Sequence, residues 1–174
     1  SKKHIKIMRN TAAECTLFLN KDEQVPIKKP GKVLLIASGA RNTIKGGLGS
    51  GDVNSWYYTT CEEGLENAGF TITSKSWLDQ YPLLKQTKIQ EHMKYIENIH
   101  LKNNATGIFR MIAFPEYDYE LKLKADEETA DIAIYVIARN SGEGPDRRLI
   151  KGDAMLTDTE IKEIQYLNQK YQKF

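Results

Sequence analysis

The chain alternates between short continuous apolar runs and longer stretches in which apolar residues return every third or fourth position. Ile5, Met8, Ala12, Cys15 and Leu19 recur at such steps, which predicts a helix over Ile5 to Leu19 with one face on the core. Asn20 to Gly31 contains Pro26, Pro30 and several lysines and reads as a connection. Lys32 to Ala37 then holds VLLIA between Gly31 and Gly39, the pattern of a short buried strand; Phe70 to Ser74 predicts a second strand and Asp131 to Ala138 (DIAIYVIA) a third. Between the first two, Thr60 and Glu63 have the spacing of a capping box. Leu65 and Ala68 supply an apolar face, and Gly69 is placed to end the helix in the left-handed conformation. Thr157 and Glu160 repeat that box ahead of Ile161, Ile164, Leu167 and Tyr171, predicting a helix over Thr157 to Tyr171. Ile89, Met93, Ile96 and His100 fall at helical spacing between Pro82 and Leu101. Tyr117, Tyr119, Leu121 and Leu123 alternate with charged residues, as an extended segment would. The join from Asn103 to Pro115 carries no clear period.

A strand, a helix and a second strand in that order are the signature of a parallel βαβ unit. The expected fold class is therefore α/β, with a mainly parallel central sheet flanked by helices as a three-layer sandwich. At 174 residues and 40% apolar content the chain supports one core. A formal charge of +2 gives no electrostatic reason to expect nucleic acid or an anionic membrane as partner, and the longest apolar runs are too short to span a bilayer. Cys15 and Cys61 lack metal-ligand spacing and read as reduced, packed thiols, so neither a metal nor a cofactor is expected. The N-terminus, SKKHIKIMRN, lacks the apolar centre of a secretory signal, and with the reduced thiols this suggests a cytoplasmic setting.

In open α/β sheets, ligands bind beyond the carboxyl ends of the strands, and two glycine-containing loops directly follow strands here. The first contains KGGLGSGDVN, in which Gly46, Gly47, Gly49 and Gly51 permit close backbone approach and Ser50 supplies a short hydroxyl. A phosphate cradle fits it poorly, since GLGSGD is not GxGxxG and no GK[ST] follows; a sugar-site loop and a purely structural loop both remain. The second, NSGEGPDRRLIKGD, sets Glu143 between two glycines, free to reach into a cleft or equally to stand exposed. Asp146, Arg147, Arg148 and Asp153 then read as surface or intra-loop ion pairs, each worth little.

KGGLGSGDVN, EEGLENAGF, IARNSGEGPDRR and KGDAMLTDTE occur in the order and approximate spacing found in glycoside hydrolase family 3, the β-glucosidase family. AAECTLFLNKDEQVPIKK resembles the segment leading into that family's second domain. The resemblance spans essentially the whole chain and is most specific at SGEGxDR. It implies one partial C-terminal α/β sandwich domain over residues 1–174, with 1–31 as leading helix and linker, incomplete at its C-terminal end. It also implies Glu143 as the general acid/base of a retaining β-glycosidase, and Ser50 with Gly47, Gly49 and Gly51 as sugar-contacting positions. The substrate implied is a β-glucoside or related oligosaccharide. The family's aspartate nucleophile lies in an SDW-like motif on a TIM-like barrel; no such motif occurs here, and Trp77, Leu78 and Asp79 do not reproduce it. Retention needs two carboxyl groups about 5 Å apart, so the chain alone is expected to be inert and to require a barrel domain as partner. The alternative is a non-catalytic module of the same fold that binds carbohydrate or protein. Without a further strand beyond the third, the bare sheet edge also suggests a homodimer.

Overall fold

The computed structural model describes residues 2–17, 26–46, 54–55, 57–100, 115–140, 147–172 and 174, with the side chains of 95–100 left aside. Its elements are α1 (Lys2–Ala12), β1 (Lys32–Ile36), α2 (Cys61–Asn67), β2 (Thr71–Ile72), α3 (Lys75–His100), β3 (Ile132–Tyr135) and α4 (Asp158–Lys170). The three strands form one parallel sheet in the order β2-β1-β3. Val33 pairs with Ile72 on one side and with Ile132 on the other, so β1 is central.

Residues on a strand alternate between the sheet's two faces, yet Val33, Leu34, Leu35 and Ile36 are all at most 1% exposed. Both faces of β1 are therefore covered, which defines an α/β sandwich and explains why VLLIA is continuously apolar. The cover includes Trp77, Leu78 and Tyr81 of α3, Leu167 of α4 and Tyr171 just beyond it. Trp77 stacks on Tyr81 with ring centroids 5.0 Å apart, and Tyr119 meets both edge-on. Tyr117, Tyr119, Leu121 and Leu123 are half-buried and alternate with exposed Asp118, Glu120, Lys122 and Lys124, the pattern expected of an extended segment.

Both capping boxes form. Thr60 accepts from the Glu63 amide while the Glu63 carboxylate accepts from the Thr60 amide, and Thr157 and Glu160 do the same for α4. Gly69 ends α2 at φ +90°, with Gly69 N donating to Glu66 O and Phe70 N to Leu65 O, the paired bonds of a Schellman motif.

Several expectations are corrected. The leading helix is Lys2–Ala12 instead of Ile5 to Leu19, and none of its residues is buried; Ile5 and Met8 are 58% and 69% exposed. Its spacing defines an apolar face, but no described element packs on that face. Cys15 lies in the turn after α1 and is exposed, so of the two free thiols only the half-buried Cys61 is packed. The second strand is shorter than Phe70 to Ser74, because Ser74 bonds β1 through its side chain: Leu35 N donates to Ser74 Oγ at 2.9 Å and Ser74 Oγ donates to Leu35 O at 2.5 Å. The third is likewise Ile132–Tyr135 within the expected Asp131 to Ala138. The long helix starts at Lys75, well before Pro82, with its early Trp77 amide satisfied by Glu127 Oε1 at 2.9 Å. Among the described residues, no helix is long and apolar enough to cross a membrane.

Candidate active site

Parallel neighbours release their chains at the same end of the sheet, so the loops after β1 and β3 leave side by side. Their first residues are stitched together. Gly39 N donates to Val136 O at 2.8 Å, Ala138 N donates to Ser38 Oγ at 3.0 Å, and Asn140 Nδ2 donates to Gly46 O at 3.1 Å. Ala37, at the carboxyl end of β1, has φ +80°, a conformation that L residues adopt at a cost of order 1 kcal/mol or more; it turns the chain out of the sheet at this point.

The base of the first loop is held by Arg41, whose Nε and Nη2 donate to the two carboxylate oxygens of the buried Glu62 at 2.5 and 3.0 Å, while Nη1 reaches Asp79 at 2.6 Å. Lys75 adds a contact to Glu62 at 2.7 Å. The Arg41 hydrogen bonds outweigh burial and hold the Glu62 carboxyl below the usual carboxylate range. Thr43 Oγ1 donates to Gly39 O at 2.8 Å and accepts from Cys61 N at 2.9 Å, which fixes the loop's first turn against α2.

The second loop starts at Arg139, whose Nη2 donates to Glu160 Oε2 at 2.5 Å and whose Nε donates to Asp153 O at 3.1 Å. Glu160 is only 1% exposed and also accepts from the Thr157 amide at 2.9 Å, so the α4 cap and the loop base share one carboxylate. Asp153 accepts from Arg147 Nη1, and from Arg148 N and Nε, all at 3.1 Å. The expected ion pairs of Arg147, Arg148 and Asp153 are present. Burial pushes the Asp153 carboxyl up, but its hydrogen bonds with Arg148 and the charges of Arg148 and Arg147 leave it below its ordinary value.

Glu143, Ser50, Gly47, Gly49, Gly51 and Asp146 lie outside the described residues. Gly46, which opens the first glycine run, is described and is the residue that Asn140 binds. Arg139, Asn140 and the double use of Glu160 carried no sequence signal beyond their neighbourhood to SGEG and to a capping box.

Behind the loop bases, one buried and two half-buried tyrosines meet carboxylates. Tyr119 and Tyr135 both donate to Glu163 Oε2, at 2.8 and 2.7 Å, and Tyr81 donates to Glu116 Oε1 at 2.5 Å, with Lys85 on the other Glu116 oxygen at 3.2 Å. Burial raises the Glu163 carboxyl above its ordinary value; the hydrogen bonds from Tyr135 and Tyr119 oppose this, and the nearby Glu160 and Glu116 charges add to it. Between the ordinary and the raised value the folded chain keeps a proton that the unfolded chain has released, so this group makes stability fall as pH rises through that window. Glu163→Gln removes that dependence. Its urea midpoint relative to the native residue should rise as pH increases above the ordinary carboxylate range; a constant difference would contradict the raised carboxyl. A groove of ≈ 1120 Å³ lies beside Glu163 and Tyr119 and is lined also by Asp118, Lys122 and Tyr166; none of its lining residues comes from either loop base.

Residues 15–172 match the glycosyl hydrolase family 3 C-terminal domain. The chain is 33% identical over 153 residues to β-glucosidase A of Butyrivibrio fibrisolvens, a match covering 86% of this chain and 16% of that protein. It is also similar to β-glucosidase 3B from Thermotoga neapolitana in complex with α-D-glucose, with a TM-score of 0.67 and 29% identity over 98% of this chain and 22% of that one. The same Thermotoga enzyme in complex with glycerol gives a TM-score of 0.66. The chain thus spans between 16% and 22% of the length of these relatives.

Proposed function

Because the chain belongs to glycosyl hydrolase family 3, as its C-terminal domain, we propose that it supplies the general acid/base, Glu143, to a retaining β-glycosidase whose aspartate nucleophile and principal sugar contacts come from a barrel domain. The substrate of this reading is a β-glucoside or related oligosaccharide. The observation that carries it is the parallel pairing of β1 with β3, which brings the base of the Ser50 loop and the base of the Glu143 loop to one end of the sheet, joined by Asn140 and Gly46. Retention divides the reaction in two. A nucleophilic carboxylate attacks the anomeric carbon while an acid protonates the leaving oxygen, and the same residue then removes a proton from the water that releases the sugar. Glu143 takes the second role, and Ser50 with Gly47, Gly49 and Gly51 lines the sugar's side of the site.

Assay with p-nitrophenyl β-glucoside tests the division of labour. The chain alone is expected to give no turnover above background, and the same chain joined to a barrel domain bearing the nucleophile is expected to turn over. Turnover by the chain alone overturns the requirement for a barrel, while glucose binding without turnover by the joined protein favours a non-catalytic module. A homodimer is part of the same reading, since no strand among the described residues pairs with the outer edge of β3. Light scattering across a concentration series would reveal it, and a strictly monomeric mass would exclude it.

A further inference from the structure

The segment that carries Glu143 is flanked by Arg139 and Asn140 on one side and by Arg147 on the other. Both arginines bond to one residue. Arg139 Nε donates to the Asp153 carbonyl, and Arg147 Nη1 donates to Asp153 Oδ1, each at 3.1 Å. Arg148 occupies Oδ2 twice, through its backbone N and its Nε. Asp153 is itself held. Its predecessor Gly152 accepts from Glu116 N at 2.6 Å, and Gly152 N donates to Met155 O at 2.8 Å, so the turn carrying Asp153 is fastened to the extended segment. Arg139 is fastened in turn to Glu160, within the cap of α4.

We propose that Asp153 is a positioning residue for the acid/base carboxyl: it gathers the two arginines on either side of residues 141–146 and fixes the ends from which Glu143 is presented. This rests on the assignment of Glu143 made above. The chemistry calls for a carboxylate at 153. Three N–H donors from Arg147 and Arg148 converge on its two carboxylate oxygens, which an aspartate accepts fully, whereas an asparagine offers one oxygen and turns its own NH2 toward a guanidinium. Proton transfer in the transition state depends on the carboxyl lying within hydrogen-bond reach of the glycosidic oxygen, and a misplacement of about 1 Å is enough to lower a rate by about 100-fold. Loss of position affects the leaving groups that need a proton and spares those that do not.

The test uses the protein that contains this domain together with its barrel, and compares kcat/KM for a disaccharide with kcat/KM for 2,4-dinitrophenyl β-glucoside. Asp153→Asn is expected to lower the disaccharide value by about 10–100-fold and the dinitrophenyl value by no more than about threefold. Glu143→Gln, measured alongside, should show the same selectivity more strongly. Equal losses on both substrates, or no loss on either, overturn the positioning role, because a merely structural residue does not distinguish leaving groups. If Glu143→Gln is selective and Asp153→Asn is not, the acid/base assignment stands and the positioning role falls; if Glu143→Gln itself is unselective, both fall. Should Asp153→Asn fail to fold, Arg147→Ala carries the same comparison, since it removes the bond from residue 147 to Asp153 Oδ1 while Arg148 keeps the turn in place: a selective loss supports the role, and an equal or absent loss overturns it.

Discussion

Replacing Glu143 by glutamine in the barrel-bearing protein is expected to lower kcat/KM for unactivated β-glucosides by about 10²–10⁴-fold, the usual contribution of general acid–base catalysis. Glutamine keeps the size and shape of the side chain but offers no transferable proton. A disaccharide or alkyl glucoside leaves as an alkoxide unless it is protonated, so its glycosylation step bears the whole loss. A dinitrophenyl glucoside leaves without help and still forms the glycosyl-enzyme, which then waits for a water that no base activates. Azide needs no base; it should attack the waiting intermediate, raise turnover of the activated substrate and yield the β-glucosyl azide. Undiminished hydrolysis of a disaccharide by Glu143→Gln would remove Glu143 from the mechanism.

Local signals were the most legible part of this chain. Thr60 with Glu63, and Thr157 with Glu160, are pairs three residues apart whose bonds close within one helical turn, so the sequence contains both partners of each bond. The continuous run at Val33 to Ile36 marked a strand buried on both faces, and the βαβ order marked a parallel sheet. What escaped depended on partners distant in sequence. The start of α3 at Lys75 relies on Glu127 accepting from the Trp77 amide, and a segment 50 positions away gives no local mark at Trp77. Periodicity identified an apolar face on α1 but could not tell whether any element covers it, which is why Ile5 and Met8 are exposed against expectation. At the site, position along the chain pointed to the two loops, but the links at their bases, Asn140 to Gly46 and Arg139 to Asp153, join residues 94 and 14 positions apart. Its spacing in the sequence marks Asp153 only as one member of an ion pair. Its contact with both flanks of the Glu143 segment appears only when the turn at Gly152 is folded onto Glu116.

That turn makes Gly152→Ala the stability change with the largest expected effect, and Gly69→Ala its control. Both glycines have left-handed backbones, φ +81° at Gly152 and +90° at Gly69, where an alanine costs about 1 kcal/mol or more. They differ in the space around them. A Cβ on Gly69 would meet nothing closer than Pro30 Cγ at 3.4 Å, an ordinary contact, whereas a Cβ on Gly152 would lie 1.9 Å from the Glu116 carbonyl oxygen and 2.9 Å from its carbon. Those are backbone atoms and cannot rotate away, so Gly152→Ala must separate the turn from the extended segment and lose the hydrogen bond from Glu116 N to Gly152 O. Overpacking of this kind adds about 1–3 kcal/mol to the conformational cost. The combined loss of about 2–4 kcal/mol or more is a large fraction of the about 5–15 kcal/mol that a domain normally has. Urea denaturation should give Gly69→Ala a midpoint shift worth about 1 kcal/mol and Gly152→Ala a shift several times larger, with similar slopes. Equal shifts would mean that the Gly152 turn does not press on Glu116 as described. If the shifts differ as expected, Gly152→Ala should also show the leaving-group selectivity of Asp153→Asn in the barrel-bearing protein, because the turn it displaces is the one that holds Asp153 between Arg139 and Arg147.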